Sequence, residues 1–320
     1  MKQFSLNLFD ESFINYHGRV LKKDNKVFFY NTGSAFELTF FGTTLSAKFS
    51  EGFGQKIRIY LDGVDTGIKY VSDTVVLCDN LTLKEHTIKV VKVNYEVRGS
   101  IVLNQLYGAE YYLNSPAKPQ LKFEFIGDSI TVGYGVYADG SEDTISNEDG
   151  TITYAYKTML HYNAQANFIC CSGISVALPI WVDFTLPSRF KYYSLTAQDG
   201  DWDFSKYVSD YVFINLGTND AAALINNKGK QEELSNCYLR FIKKIREYYK
   251  DAKIVCSYGM MGVNKDVALG ITNAVKEMHD DKGYFFEFKP VDCSGYNGHP
   301  SVDGQNDGAN QLINFIRGIM

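Results

Sequence analysis

The sequence is short of proline, of paired cysteines, of basic stretches and of long apolar runs, and each shortage removes a class of protein. Its 320 residues hold only six prolines. The six cysteines, Cys78, Cys170, Cys171, Cys237, Cys256 and Cys293, include no C-x-x-C pair and mostly sit inside apolar runs. They read as buried thiols, and neither a disulfide frame nor a zinc site is suggested. Lys and Arg form no basic stripe and the formal net charge is −5, which argues against a nucleic-acid partner. No apolar run approaches the roughly 20 residues of a membrane span. The first ten residues, Met1 to Asp10, lack the apolar core and small-residue cleavage site of a signal peptide. The expectation is a cytoplasmic protein, unless a leader has been removed.

What is present is a globular composition, 45% hydrophobic and 22% charged, over a chain long enough for two domains. From about Arg19 to Tyr112 the pattern has period two. Val27–Tyr30, Phe36–Phe40, Leu45–Phe49, Ile57–Leu61, Thr74–Leu77, His86–Val90 and Ile101–Asn104 read as strands, with Asp62-Gly63 as a turn between two runs. Many short strands without a helical stretch predict an all-β sandwich, a jelly roll, over residues 1–113. The segment 114–120, with Pro116 and Pro119, reads as the linker. Over 121–320 strand and helix patterns alternate: strands at 121–126, 166–171, 210–216, 253–258 and 284–288, helices at 153–162, 234–249, 266–279 and 305–316. That alternation predicts an α/β domain with a five-stranded parallel sheet and right-handed crossovers. Two long segments interrupt it. Residues 137–151, with Glu142, Asp143, Glu148 and Asp149, read as mostly solvated loop. Residues 179–203 hold both tryptophans, Trp181 and Trp202, whose faces suit sugar rings or simply pack on the domain.

The apolar run ending at Ile126 is followed by Gly127-Asp128-Ser129. Ser129 thus stands just past a strand's carboxyl end, where open α/β sheets bind ligands, and a helix starting here turns free N–H groups toward a developing oxyanion. Taken alone, the tripeptide is equally a capping turn. Acyl transfer also needs a base and oxyanion donors. His17 and His86 lie in the β region, and His161 and His279 sit in helical patterns, which leaves His299 in a glycine-rich loop as the base. Gly217-Thr218-Asn219-Asp220 follows the strand ending near Leu216, and on its own is ordinary turn chemistry.

Together, Gly127-Asp128-Ser129-Ile130-Thr131, Gly173, Gly217-Thr218-Asn219-Asp220 and His299-Pro300-Ser301 resemble, in this order, the four blocks of the GDSL/SGNH hydrolase superfamily. The resemblance implies a flavodoxin-like domain, Ser129 as nucleophile and His299 as base. It assigns the oxyanion hole to the Ser129 and Gly173 backbone N–H groups and the Asn219 side chain. The superfamily's acid, three residues before the histidine, is here Tyr296. Asp292 or Asp303 could substitute, or a backbone carbonyl could hold the imidazole. The last arrangement is known in carbohydrate esterase family 2, which this chain also resembles in its layout, in Gly18-Arg19, Gly42-Thr43 and Ile59-Tyr60-Leu61-Asp62-Gly63, and in Trp202-Asp203-Phe204 before the asparagine block.

That resemblance implies a serine esterase that deacetylates O-acetylated oligosaccharides such as hemicellulose fragments through a Ser129–His299 dyad. Trp181 and Trp202 are the candidate substrate-binding aromatics. No metal or cofactor is implied, and no nucleic-acid or membrane partner is expected. The alternatives are an SGNH lipase-like esterase or thioesterase acting on longer acyl chains, and a carbohydrate-binding protein with a vestigial site.

Overall fold

A computed structural model describes residues 6–137, 145–226 and 229–320. Glu142 and Asp143 lie outside them. The chain divides into two compact units, Met1–Lys118 and Pro119–Met320.

The first unit is all-β. Its strands are β1 (Ile14–His17), β2 (Val20–Lys23), β3 (Lys26–Phe29), β4 (Ala35–Gly42), β5 (Leu45–Glu51), β6 (Lys56–Leu61), β7 (Val64–Tyr70), β8 (Thr74–Cys78), β9 (Lys84–Lys92), β10 (Ile101–Tyr107) and β11 (Tyr111–Leu113). They form two antiparallel sheets, ordered β1-β4-β9-β6-β7 with β11 also on β4, and β2-β3-β10-β5-β8. Alternate residues supply one core: Phe36, Leu38 and Phe40 from β4 meet Leu45, Ala47 and Phe49 from β5 and Ile88 and Val90 from β9. The expected sandwich is present. Strand β7 escaped the sequence reading because its side chains are exposed or half-buried throughout and show no apolar alternation.

The second unit runs β12 (Lys122–Gly127), α1 (Ser129–Val132), α2 (Tyr154–His161), β13 (Gln165–Cys170), α3 (Leu186–Arg189), β14 (Tyr211–Asn215), α4 (Thr218–Asn226), α5 (Gln231–Tyr248), β15 (Lys253–Tyr258), α6 (Lys265–Glu277), β16 (Gly283–Glu287) and α7 (Val302–Ile319). All five strands are parallel, in the order β13-β12-β14-β15-β16. This is the flavodoxin-like order. The chain reverses direction across the sheet after β13, so a crevice opens beyond the carboxyl ends of β12 and β14.

The strands are buried on both faces. Ile126, Ile169, Val212, Ile214 and Ile254 pack with the apolar stripe of α5, Leu234, Tyr238, Phe241, Ile242 and Ile245. The alternate residues make an aromatic layer, in which Phe125 stacks on Phe168 and Phe213 and meets Tyr154 of α2 edge-on. Helix α2 packs beside α7, and α5 beside α6.

Thr218 begins the helix α4, which the sequence expectations do not include. One sequence expectation is corrected here. Within 137–151, Glu148 and Asp149 are buried and not solvated, at 1% and 0% exposure. Asp149 caps the short 3-10 turn Gly150–Ile152 by accepting from Thr151 N at 2.8 Å, and it also accepts from the Tyr137 hydroxyl at 3.2 Å.

Candidate active site

Strand β12 delivers Ser129 to the crevice. Asp128, fully buried, caps α1 by accepting from Ile130 N at 3.0 Å. Burial and the neighbouring Asp220 charge push the Asp128 carboxyl up to about 7, against the pull of that N–H. Helix α1 is a single turn, closed by Gly133 in the left-handed region. So short a helix carries little macrodipole, and what it offers is the Ser129 N–H itself. Gln305 of α7 ties this turn down, donating through Nε2 to Ile130 O at 3.0 Å and accepting Tyr154 N through Oε1 at 2.8 Å.

The histidine arrives on the loop before α7. Its Nε2 lies 2.9 Å from Ser129 Oγ, and its Nδ1 lies 3.2 Å from the carbonyl oxygen of Tyr296. A carbonyl only accepts, so Nδ1 carries the proton and Nε2 is free to accept from the serine hydroxyl. The Tyr134 ring meets the imidazole edge-on at 4.8 Å. Burial holds the imidazole below its ordinary value of 6.5, although the carbonyls of Tyr296 and Asn297 favour the charged form.

The carbonyl is aimed by a close crossing of two backbones. Tyr296 N donates to Gly135 O at 2.7 Å, and Gly295 N donates to His299 O at 3.0 Å. Gly135 has φ +64, and a Cβ there would stand 2.6 Å from Tyr296 O, so only glycine lets the nucleophile segment pass this close. Asp292 is engaged elsewhere. It accepts from Ser301 Oγ at 2.5 Å and from Ser294 Oγ at 2.8 Å, bonds that hold its carboxyl below the usual range and secure the Ser301 cap of α7. Asp303 sits in the first turn of α7.

Gly173 follows β13 with φ +78, and a Cβ there would lie 2.7 Å from Trp181 Cβ. Asn219, in the first turn of α4 and 8% exposed, donates through Nδ2 to Ile174 O at 2.8 Å. That bond fixes the amide plane and uses one of its two hydrogens. Neither Ser129 N–H nor Gly173 N–H meets a main-chain acceptor among the described residues.

The two tryptophans part company. Trp181 is 69% exposed beside Gly173, an open ring face next to the crevice. Trp202 is 9% exposed, lies edge-on to Tyr193 at 5.3 Å and donates its backbone N–H to Lys191 O. Expected as a substrate-binding aromatic, Trp202 has no free face for stacking. The segment around it needed rings for its own packing, with Phe190 and Leu195 buried and Phe204 stacked on Tyr248 at 3.6 Å.

Tyr134, Gly135 and Asp220 stand in the motif stretches of the sequence but receive no role there. The Gly133-Tyr134-Gly135 run directly after the nucleophile was the available signal for the first two. Among the described residues no cluster of His, Cys, Asp and Glu is arranged to hold a metal ion, and no helix is long and apolar enough to cross a membrane.

Residues 125–306 match the GDSL-like lipase/acylhydrolase family, and residues 16–116 match the N-terminal domain of carbohydrate esterase 2. The chain is 32% identical over 293 residues, 85% of its length, to the cellulase/esterase CelE of Acetivibrio thermocellus, and spans 35% of that protein. An acetylxylan esterase/glucomannan deacetylase of Cellvibrio japonicus is 24% identical over 74% of this chain and 68% of its own. Among solved structures, a family two carbohydrate esterase from Clostridium thermocellum in complex with cellohexaose superposes with a TM-score of 0.88 at 30% identity, covering 96% of this chain and 98% of that one.

Proposed function

The chain belongs to carbohydrate esterase family 2, with a GDSL-like catalytic domain, and from that premise we propose that it removes acetyl groups from O-acetylated oligosaccharides through a Ser129–His299 dyad. The observation that carries the reading is the Ser129 Oγ to His299 Nε2 distance of 2.9 Å, with the imidazole's other nitrogen on the Tyr296 carbonyl.

Ser129 Oγ attacks the acetyl carbon as its proton passes to Nε2. The carbonyl oxygen becomes an oxyanion held by the N–H groups of Ser129 and Gly173 and the second amide hydrogen of Asn219. The tetrahedral intermediate collapses, the bond to the sugar oxygen breaks, and that oxygen takes the proton from Nε2. Water then attacks the acetyl-enzyme with His299 again as base, releasing acetate and restoring Ser129. Trp181 offers an exposed aromatic face beside Gly173 on which a sugar ring of the substrate stacks. The relatives named for acetylxylan and glucomannan, and the structure bound to cellohexaose, support β-linked hemicellulose fragments as the substrate class.

The test is acetate release from a panel of acetylated xylo- and manno-oligosaccharides beside 4-nitrophenyl esters of rising acyl length. Release from the sugars, with kcat/KM falling from acetate to octanoate, is expected. A rise toward octanoate favours a lipase-like enzyme, and no turnover of any ester a binding protein with an idle site.

A further inference from the structure

The residue after Asn219 is an acid with no part in the chemistry above. Asp220 is fully buried in the first turn of α4. An acid so placed ordinarily serves its own helix. Here both carboxylate oxygens also reach across to the loop after β13: Oδ2 accepts from Val176 N at 3.0 Å, and Oδ1 accepts from Ala177 N at 2.8 Å and Leu178 N at 3.1 Å. Three consecutive main-chain N–H groups converging on one carboxylate make a nest, filled by a side chain of the same protein. Next door, Asn219 Nδ2 holds Ile174 O at 2.8 Å. Adjacent residues of one helical turn therefore hold the loop at Ile174 and at Val176–Leu178, directly after Gly173.

We propose that Asp220 is a positioning residue for the oxyanion hole, its carboxylate fixing the direction of the Gly173 N–H by clamping the loop that carries it. Gly173 has φ +78 in a tight turn in which Ile174 N reaches back to Cys171 O at 3.4 Å, a long bond that orients the peptide weakly. Firmer bonds follow it: Asn219 Nδ2 to Ile174 O at 2.8 Å, Leu186 N to Ser175 O at 3.0 Å and the three to Asp220, the one set among them that gathers consecutive N–H groups on a single side chain. The three N–H groups are buried or nearly so, and a buried donor left without an acceptor is costly, so the loop cannot rotate away while the carboxylate is in place. The same bonds keep the negative charge turned into amide dipoles and away from the developing oxyanion.

The inference rests on the reading of Gly173 and Asn219 as oxyanion donors, and the test separates the two. Asp220→Asn keeps the shape but turns an NH2 group toward the nest. Expected are a 10- to 100-fold loss in kcat on an acetyl ester with KM within twofold, a comparable loss in affinity for methylboronic acid, which forms a tetrahedral adduct on the serine, and losses less than additive with Asn219→Ala. A full kcat with Asp220→Asn where Asn219→Ala is impaired overturns the inference alone; full kcat in both overturns the oxyanion reading itself. Additive losses, or a loss confined to KM, make Asp220 a merely structural acid. Should Asp220→Asn fail to fold, Asp220→Ser, which leaves room for a water among the donors, carries the same expectation. In the wild type, the amide hydrogens of 176–178 exchange as slowly as those of β14, and exchange within minutes overturns the clamp.

Discussion

In the loop that carries His299, the imidazole Nδ1 meets the neutral carbonyl of Tyr296 at 3.2 Å; in the loop that carries Gly173, a buried carboxylate gathers the N–H groups of Val176, Ala177 and Leu178. A serine triad places its carboxylate behind the histidine, where it sets the tautomer and stabilises the imidazolium. Here the acceptor that meets Nδ1 is the Tyr296 carbonyl, while the buried acid beside Asn219 anchors backbone. Burial then has its way with the imidazole, which is held below its ordinary value, and among the described residues only main-chain carbonyls work to raise it. The contrast teaches that orientation and charge stabilisation are separable, and that a close glycine crossing at Gly135 supplies the first without the second.

On the histidine side the contrast breaks altogether without its proton donor. Ser129→Ala removes only the nucleophilic oxygen, and a loss of about 10⁴ or more in kcat is expected with the circular dichroism spectrum unchanged. Retention of most of the rate on 4-nitrophenyl acetate contradicts the mechanism. On the oxyanion side, Asn219→Ala deletes a donor whose bond strengthens as charge develops, for an expected loss of about 10²–10³ in kcat and little change in KM. A pure KM effect makes Asn219 a substrate-binding residue instead.

The lowered imidazole sharpens the comparison through pH. Only neutral Nε2 accepts the serine proton, so activity is lost as pH falls through the free-enzyme pKa of His299. Because burial depresses that pKa, the acid limb of kcat/KM should have its midpoint below 6.5. A midpoint above 6.5 signals a charge partner behind the ring.

How far the sequence carried the argument follows from what each residue buries. Buried alternating runs such as Phe36 to Phe40 and Leu45 to Phe49 were legible because the core demands their pattern, whereas β7, largely exposed, carries none. The nucleophile and asparagine blocks were legible as residue types after strand ends, and His299 as the histidine left once those in the β region and in helical patterns were set aside. Polar residues misled wherever tertiary partners decide their fate. Glu148 and Asp149 looked solvated and are buried, and Trp202 looked like a sugar platform and packs on Tyr193. Asp220 is the sharpest case, since its partners lie 42 to 44 positions earlier in the chain and no local spacing announces them. Tyr296 stands where the superfamily's acid would be, yet its own carbonyl, not its side chain, meets the imidazole, a contribution that any residue type could make.

The smallest expected effect tests the central claim most directly. Asp292 is occupied by Ser294 and Ser301, and the imidazole's Nδ1 hydrogen bond is made to Tyr296 O. The measurement is kcat on an acetyl ester for Asp292→Asn and Asp303→Asn, with unfolding midpoints to separate loss of the α7 cap from loss of chemistry. If a carbonyl alone orients His299, each variant loses less than about tenfold, under roughly 1.4 kcal/mol. A thousandfold loss in either one, with the fold intact, establishes a carboxylate behind the histidine and contradicts the dyad.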